Sequence, residues 1–268
     1  MTSRIERFRT LHASGCFVMP NPWDVGSARI LAGLGFTALA TTSAGFAWSA
    51  GRADNHVTKG AAIAHFRAIA DSVDLPVNAD FEGGFATAPE DVAANVVEAA
   101  TTGIAGLSVE DSTGNPADPL FEFPLAVERI RAARRALDAS GTGVLLTARS
   151  EGFIAGRPDL AETIRRLTAY AEAGADCLYA PGIRTAEQIG AIVSAVAPRP
   201  VNVLVGGDFT TVQALADLGV RRISVGGALA RAALTTMLNA AEEIARHGTF
   251  TAFGKLRPVP EINRLFER

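Results

Sequence analysis

The sequence predicts an α/β chain folded as one (β/α)8 TIM barrel with extra C-terminal helices. Three observations carry that expectation. Short apolar runs alternate with Ala-rich amphipathic stretches at a spacing of about 30 residues, the pattern of repeated βαβ units. Similar helix-to-strand phrases recur, Ala32 to Phe36, Thr102 to Gly106, Ala173 to Asp176 and Leu218 to Arg221, as in one repeated architecture. The 268 residues match one barrel, and no Gly-x-Gly-x-x-Gly opens the first helix as a dinucleotide-binding sheet requires.

The first strand is read at Cys16–Asn21, followed by a helix over Asp24–Leu34 that stops at Gly35, a C′ glycine. The second strand covers Phe36–Ser43 and the third Pro76–Glu82. A helix over Pro89–Thr101, ended by Gly103, leads to the fourth strand, Gly106–Asp111. The fifth is Val144–Glu151; a helix over Leu160–Ala173, ended by Gly174, leads to the sixth, Cys177–Gly182. The seventh and eighth are Val201–Gly206 and Arg221–Gly227. Their centres are almost continuously apolar, as parallel strands covered on both faces require. Beyond Arg231, helices are expected at Ala232–His247 and about Glu261–Arg268, joined through Gly248–Pro260. This extension (232–268) exceeds what closing a barrel needs and is read as an oligomer contact.

Composition narrows the function. Hydrophobic residues make up 48% and charged residues 20%, enough for a large core and against disorder. A net charge of −3 without Lys/Arg runs gives no footing for nucleic acid. No apolar run approaches the roughly twenty residues of a membrane span. The N-terminus carries Arg4, Glu6, Arg7 and Arg9 ahead of no signal-type core, and Cys16 and Cys177 read as reduced thiols. A cytoplasmic address is expected.

In a barrel, chemistry sits where strands end. The second strand finishes in Ser43-Ala44-Gly45, a hydroxyl beside small residues where backbone N–H groups can approach an anion. The third finishes Asp80-Phe81-Glu82, whose alternation is expected to put both acids on one face. The fourth finishes Glu110-Asp111 and the fifth Arg149-Ser150-Glu151. Converging acids repel unless a cation lies among them, and oxygen-only ligands suit Mg²⁺, with Mn²⁺ a possible substitute. Asp80, Glu82 and Glu110 are the expected metal ligands, and Arg149 is suited to a substrate carboxylate. A second reading keeps these acids as salt-bridge partners of Arg149. Asp54, in the polar loop Gly51–Lys59, and Asn202 are further candidates. The Gly206-Gly207 and Gly226-Gly227 ends suit either phosphate or ordinary turns.

These motifs resemble the isocitrate lyase/phosphoenolpyruvate mutase superfamily. The resemblance runs from Asn21-Pro22-Trp23-Asp24 to about Gly248 through Thr42-Ser43-Ala44-Gly45, Asp54, Asp80-Phe81-Glu82-Gly83-Gly84-Phe85, Val109-Glu110-Asp111 and Ala148-Arg149-Ser150-Glu151. It implies that the residue matching Asp80 holds Mg²⁺, with those matching Glu82 and Glu110 acting through bound waters. It also implies that Ser43, Ala44 and Gly45 receive a substrate carboxylate, Arg149 holds the other end, and Asp54 belongs to a gating loop. The implied chemistry stabilises the enolate of a 2-oxo acid, in a homo-oligomer (dimer or tetramer) that exchanges a C-terminal helix. The sequence also departs from the family. Where the lyases carry a Lys-Lys/Arg-Cys-Gly-His segment, this chain has Asp111-Ser112-Thr113-Gly114-Asn115, with neither cysteine nor lysine. Three readings stay open: carbon–carbon cleavage or decarboxylation, chemistry at a C–P or P–O bond, and a 2-oxo acid binding protein that has lost turnover.

Overall fold

The computed structural model describes residues 2–267. Eight strands, β1 (Phe17–Met19), β2 (Leu39–Ala40), β3 (Val77–Asp80), β4 (Gly106–Glu110), β5 (Leu145–Arg149), β6 (Cys177–Tyr179), β7 (Val201–Leu204) and β8 (Arg222–Ser224), form one sheet. All pairings are parallel and the order is β1-β8-β7-β6-β5-β4-β3-β2. A backbone bond from Ala40 N–H to Pro20 O, 3.1 Å, brings β1 and β2 together, so the barrel is nearly closed. The helices are α1 (Arg4–Ala13), α2 (Val25–Gly33), α3 (Ser43–Ser49), α4 (Lys59–Ser72), α5 (Pro89–Ala100), α6 (Phe123–Ser140), α7 (Leu160–Glu172), α8 (Ala186–Val196), α9 (Val212–Asp217), α10 (Ala228–His247) and α11 (Val259–Arg264).

Local chemistry explains most boundaries. Asp24 caps α2 through Ser27 N–H, and Gly35 past its end adopts φ +88°, a backbone only glycine takes freely. The sequence places His12 on a helix without giving that helix bounds; it is α1, Arg4–Ala13. Its signal was present, because Ser3 and Glu6 form a reciprocal capping box.

The strands alternate. Leu39, Val77, Ala79, Leu107, Val109, Leu146, Ala148, Leu178, Val203 and Ile223 belong to the core that the helices cover. Asn78, Asp80, Ser108, Arg149, Tyr179, Asn202, Arg222 and Ser224 face an inner chamber. The interior is therefore polar. Helix α1 closes its floor with Phe8 and His12 against Phe17, and the adjacent cluster includes Met19, Ala40 and Leu145. His12 accepts from Arg222 Nη1 at 3.3 Å, and Arg222 also donates to Asn202 and Thr147.

Three expected elements are corrected. The second strand is shorter than Phe36–Ser43: Thr42 turns the chain and caps α3, so Ser43, Ala44 and Gly45 form a helix's first turn rather than a strand end. The long terminal helix starts at Ala228 rather than Ala232, because Gly226 at φ +51° lets it follow β8 directly. The last helix is Val259–Arg264, beginning beside Pro258, after a 3₁₀ turn at Thr251–Lys255. Arg268, the end of the expected last helix, lies outside the described residues. Only Ala230 of α10 is buried, and Phe250, Phe253, Leu256 and Val259 leave large apolar surfaces exposed. Among the described residues no helix is long and apolar enough to cross a membrane. Both cysteines are free, Cys177 buried and Cys16 half-buried.

Candidate active site

The centre of the rim is one guanidinium. Arg149, the last residue of β5, donates to Asp80 Oδ1 at 2.7 Å and to Glu151 Oε1 at 2.9 Å, and Glu110 Oε2 lies 3.1 Å from its Nη2. Its carbon stands 5.0 Å from the ring centroid of Tyr179, its register partner on β6. The parallel register makes this assembly: Glu110 on β4 lies beside Arg149 on β5, and Asp80 ends the next strand over. Asp80 is held from below by its own N–H, which donates to Thr41 Oγ1 at 2.9 Å. Its Oδ2 accepts from Ser43 N–H at 3.1 Å and Ser43 Oγ at 3.0 Å.

A second layer fixes the first. Asp111, buried, accepts Glu151 N–H at 2.8 Å, Tyr170 OH at 2.7 Å and Arg166 Nη1 at 3.0 Å. Buried Arg129 donates to the carbonyls of Glu110, Gly83 and Ala86, tying the β3 and β4 ends together. A buried charge is tolerated when it is paired and hydrogen-bonded; Asp111 meets this through Arg166 and Tyr170, whereas Arg129 is hydrogen-bonded by carbonyls alone and its Nε has no partner among the described residues.

The first layer is short of positive charge. Burial, with the charges of Asp80 and Asp54, pushes Glu82 up to about 7. Burial outweighs Arg149 at Glu110 and Glu151, and both carboxyls lie above the usual range. Asp54 is raised by burial and by Asp80. Despite the burial that opposes its charge, Arg149 is held well above its ordinary value by Glu151, Glu110 and Asp80. Among the described residues Asp80, Glu110 and Glu151 thus pair with one cation, Arg149, while Asp54 and Glu82 pair with none.

That excess bears on the metal. Among the described residues no three acids, histidines or cysteines form a ready-made cage, because Arg149 stands between the carboxylates. The donors are all oxygen and their charge exceeds that of the single guanidinium. Such a set fits a hard divalent cation that keeps most of its water and takes few protein ligands.

The expected residues do not all converge. Ser43, Ala44, Asp54, Asp80, Arg149 and Asn202 line one inner chamber of about 190 Å³. Gly45 does not: its N–H is engaged by Thr42 Oγ1, and a Cβ there would lie 2.7 Å from Thr42 Cγ2 and 2.9 Å from Trp23 Cβ. It is a packing glycine. Glu82 faces a neighbouring recess together with Glu110, because β3 ends at Asp80 and Glu82 takes φ +47°, so strand alternation no longer applies. Asn202 faces inward from β7, donating to Ser224 Oγ and accepting from Arg222 Nε, both at 2.9 Å. The sequence places Glu151 among the strand-end acids without giving it a role, and gives Tyr179 none. Glu151 lies two residues past Arg149 and Tyr179 beside it across the sheet, relations of spacing and register.

The segment that departs from the lyase pattern is a turn closed by an antiparallel bridge between Ser112 and Leu120, with Asn115 over the cavity beside Glu110. The profile of the phosphoenolpyruvate phosphomutase family matches residues 8–245. The chain belongs to this family. A solved structure from Burkholderia cenocepacia J2315, assigned provisionally as a lyase/mutase, is 49% identical with a TM-score of 0.96, covering 99% of this chain and 96% of that one. The oxaloacetate decarboxylase of Pseudomonas putida (strain GB-1) is 31% identical over 236 residues, 85% of this chain and 80% of the relative. Oxaloacetate acetylhydrolase, solved with its product oxalate, is 28% identical with a TM-score of 0.86, over 99% of this chain and 93% of that one.

Proposed function

We propose that this carbon–carbon lyase acts with Mg²⁺ on a small 2-oxo or 2-hydroxy di- or tricarboxylic acid, cleaving or decarboxylating it through an enolate. The observation that carries the reading is the ring of carboxylates around Arg149, rich in negative charge, with Asp80 open to the inner chamber and Glu110 and Glu151 open to the cavity beside it. Two relatives named for oxaloacetate support the substrate class. Asp80, with Glu82 and Glu110 acting through water, would hold the cation. When bound it supplies Lewis-acid polarisation of the 2-oxo group. Arg149 would offer its planar fork to a substrate carboxylate in place of one of the carboxylates it pairs with, Asp80, Glu110 or Glu151, and Ser43 and Ala44 line the same chamber. Asp54, its carboxyl raised by burial, is our choice for the group that moves a proton at the chamber mouth.

The test is a substrate panel of oxaloacetate, isocitrate, methylisocitrate, dimethylmalate and phosphonopyruvate, with and without Mg²⁺, followed by NMR. Mg²⁺-dependent carbon–carbon cleavage is expected. Asp80→Ala should lower turnover by a factor of about a hundred or more while melting as a folded protein; unchanged turnover refutes the assignment. The family profile favours a second reading, chemistry at a C–P or P–O bond, and phosphate release from phosphonopyruvate or phosphoenolpyruvate would select it. Tight binding without turnover would select a binding protein. The exposed apolar tail beyond α10 is read as an oligomer contact; a monomer by light scattering would overturn that.

A further inference from the structure

Past Ala44, Asp54, Ile154, Leu204 and Gly227, which line both spaces, the inner chamber adjoins a second one of about 500 Å³. A small acid gripped at Arg149 leaves this outer chamber unused. Its wall has two kinds of surface. Trp48, Ile183, Phe209 and Val225 supply apolar area, suited to a run of methylene groups. Arg184 and Arg231 supply two guanidinium groups from different elements, the loop after β6 and the first turn of α10.

These arginines differ from those around the inner site. Arg149 and Arg166 are taken up by carboxylates. Among the described residues neither Arg184 nor Arg231 enters an ion pair. Arg231 donates to Gly206 O at 3.1 Å, and that carbonyl leaves its charge uncompensated. The guanidinium of Arg184 has no hydrogen-bond partner among the described residues. Asp208 shares the wall and pairs with neither.

We propose that the outer chamber is an anion subsite in which Arg184 and Arg231 take a terminal carboxylate borne on an apolar chain of the substrate. The preferred substrate is then a 2-oxo or 2-hydroxy acid longer than oxaloacetate, with its second acid at the far end. The proposal rests on the reading that a 2-oxo acid is held at Arg149.

Unreactive probes test it. Oxamate mimics a 2-oxo acid, and it can carry an N-linked butyl chain or the same chain ended in a carboxylate. Affinities are measured by calorimetry on the full chain with Mg²⁺. The carboxylate-ended probe is expected to bind about tenfold tighter than the butyl probe. In the Arg184→Met/Arg231→Met double variant that ratio should fall to near one, with the butyl probe still bound as a sign of an intact inner site. Equal affinity of the two tailed probes in the parent protein overturns the proposal, and so does a ratio that survives the double variant. If plain oxamate itself fails to bind, the reading of the inner chamber fails first and removes the basis of the outer one.

Discussion

Glu82 offers a direct measurement of the charge excess at the rim. Its carboxyl lies at about 7 against an ordinary 4.5, pushed up by burial first and then by Asp80 and Asp54. A carboxyl that holds its proton more tightly in the folded chain than in the unfolded one costs stability once it ionises. The cost is absent below about 4.5 and complete above about 7. At about 1.4 kcal/mol for each pH unit, that interval sets an upper bound of about 3 kcal/mol, reduced by the solvent that reaches this half-buried side chain. Glu82→Gln keeps the shape and removes the charge. In chelator-treated protein the variant should be more stable than the parent by about 1–3 kcal/mol at pH 8 and equal to it near pH 4. Urea unfolding at both values reads the difference. Saturating Mg²⁺ should stabilise the parent by mass action and the variant less, because a member of the ligand set is gone. A variant no more stable than the parent at pH 8, or an advantage equal at both pH values, would refute the argument. The first result would mean that Glu82 is solvated in the folded chain, the second that the gain does not come from its ionisation.

Other consequences follow from particular contacts. Tyr170→Phe removes one of three donors to buried Asp111 and should cost about 1–3 kcal/mol in chemical denaturation, with a loss of turnover because Asp111 positions Glu151 behind Arg149. Gly45→Ala places a Cβ 2.7 Å from Thr42 Cγ2 and 2.9 Å from Trp23 Cβ, for a cost of about 1–3 kcal/mol visible as a lower melting temperature. His12, buried beside Arg222, is pushed down to about 3 from its ordinary 6.5, by burial first and the arginine's charge second. Only the unfolded chain takes up its proton as pH falls from 6.5 toward 3, so its contribution is intact above that window and declines through it. The loss is at most about 1.4 kcal/mol per pH unit. His12→Asn should flatten the slope of urea midpoint against pH between 7 and 5, and an unaltered slope would count against a neutral buried imidazole.

The barrel was legible in the chain because its signals are local. An apolar run reads as a strand, an amphipathic stretch as a helix, and Gly35, Gly103 and Gly174 as helix ends, each within a few residues. The acids at strand ends were legible for the same reason. Asp80, Glu110 and Arg149 end strands whose order along the chain is also their order around the barrel, so consecutive strands deliver neighbouring side chains. Four things required the folded chain. Ser43 starts a helix, since Thr42's cap and the turn it enforces outweigh the β-like run before it. Glu82 leaves the strand's alternation because its backbone is left-handed. Tyr179 meets Arg149 through the register of neighbouring strands, a relation no periodicity encodes, and Glu151, two residues past Arg149, is fixed there by a loop that Asp111 holds. The outer chamber joins Arg184 to Arg231, 47 positions apart in the sequence, across loops whose spacing the barrel's curvature sets. Sequence alone could therefore determine which groups reach the rim. Which of them share a charge, and how much room lies beyond it, depends on contacts between elements and was decided by the tertiary structure.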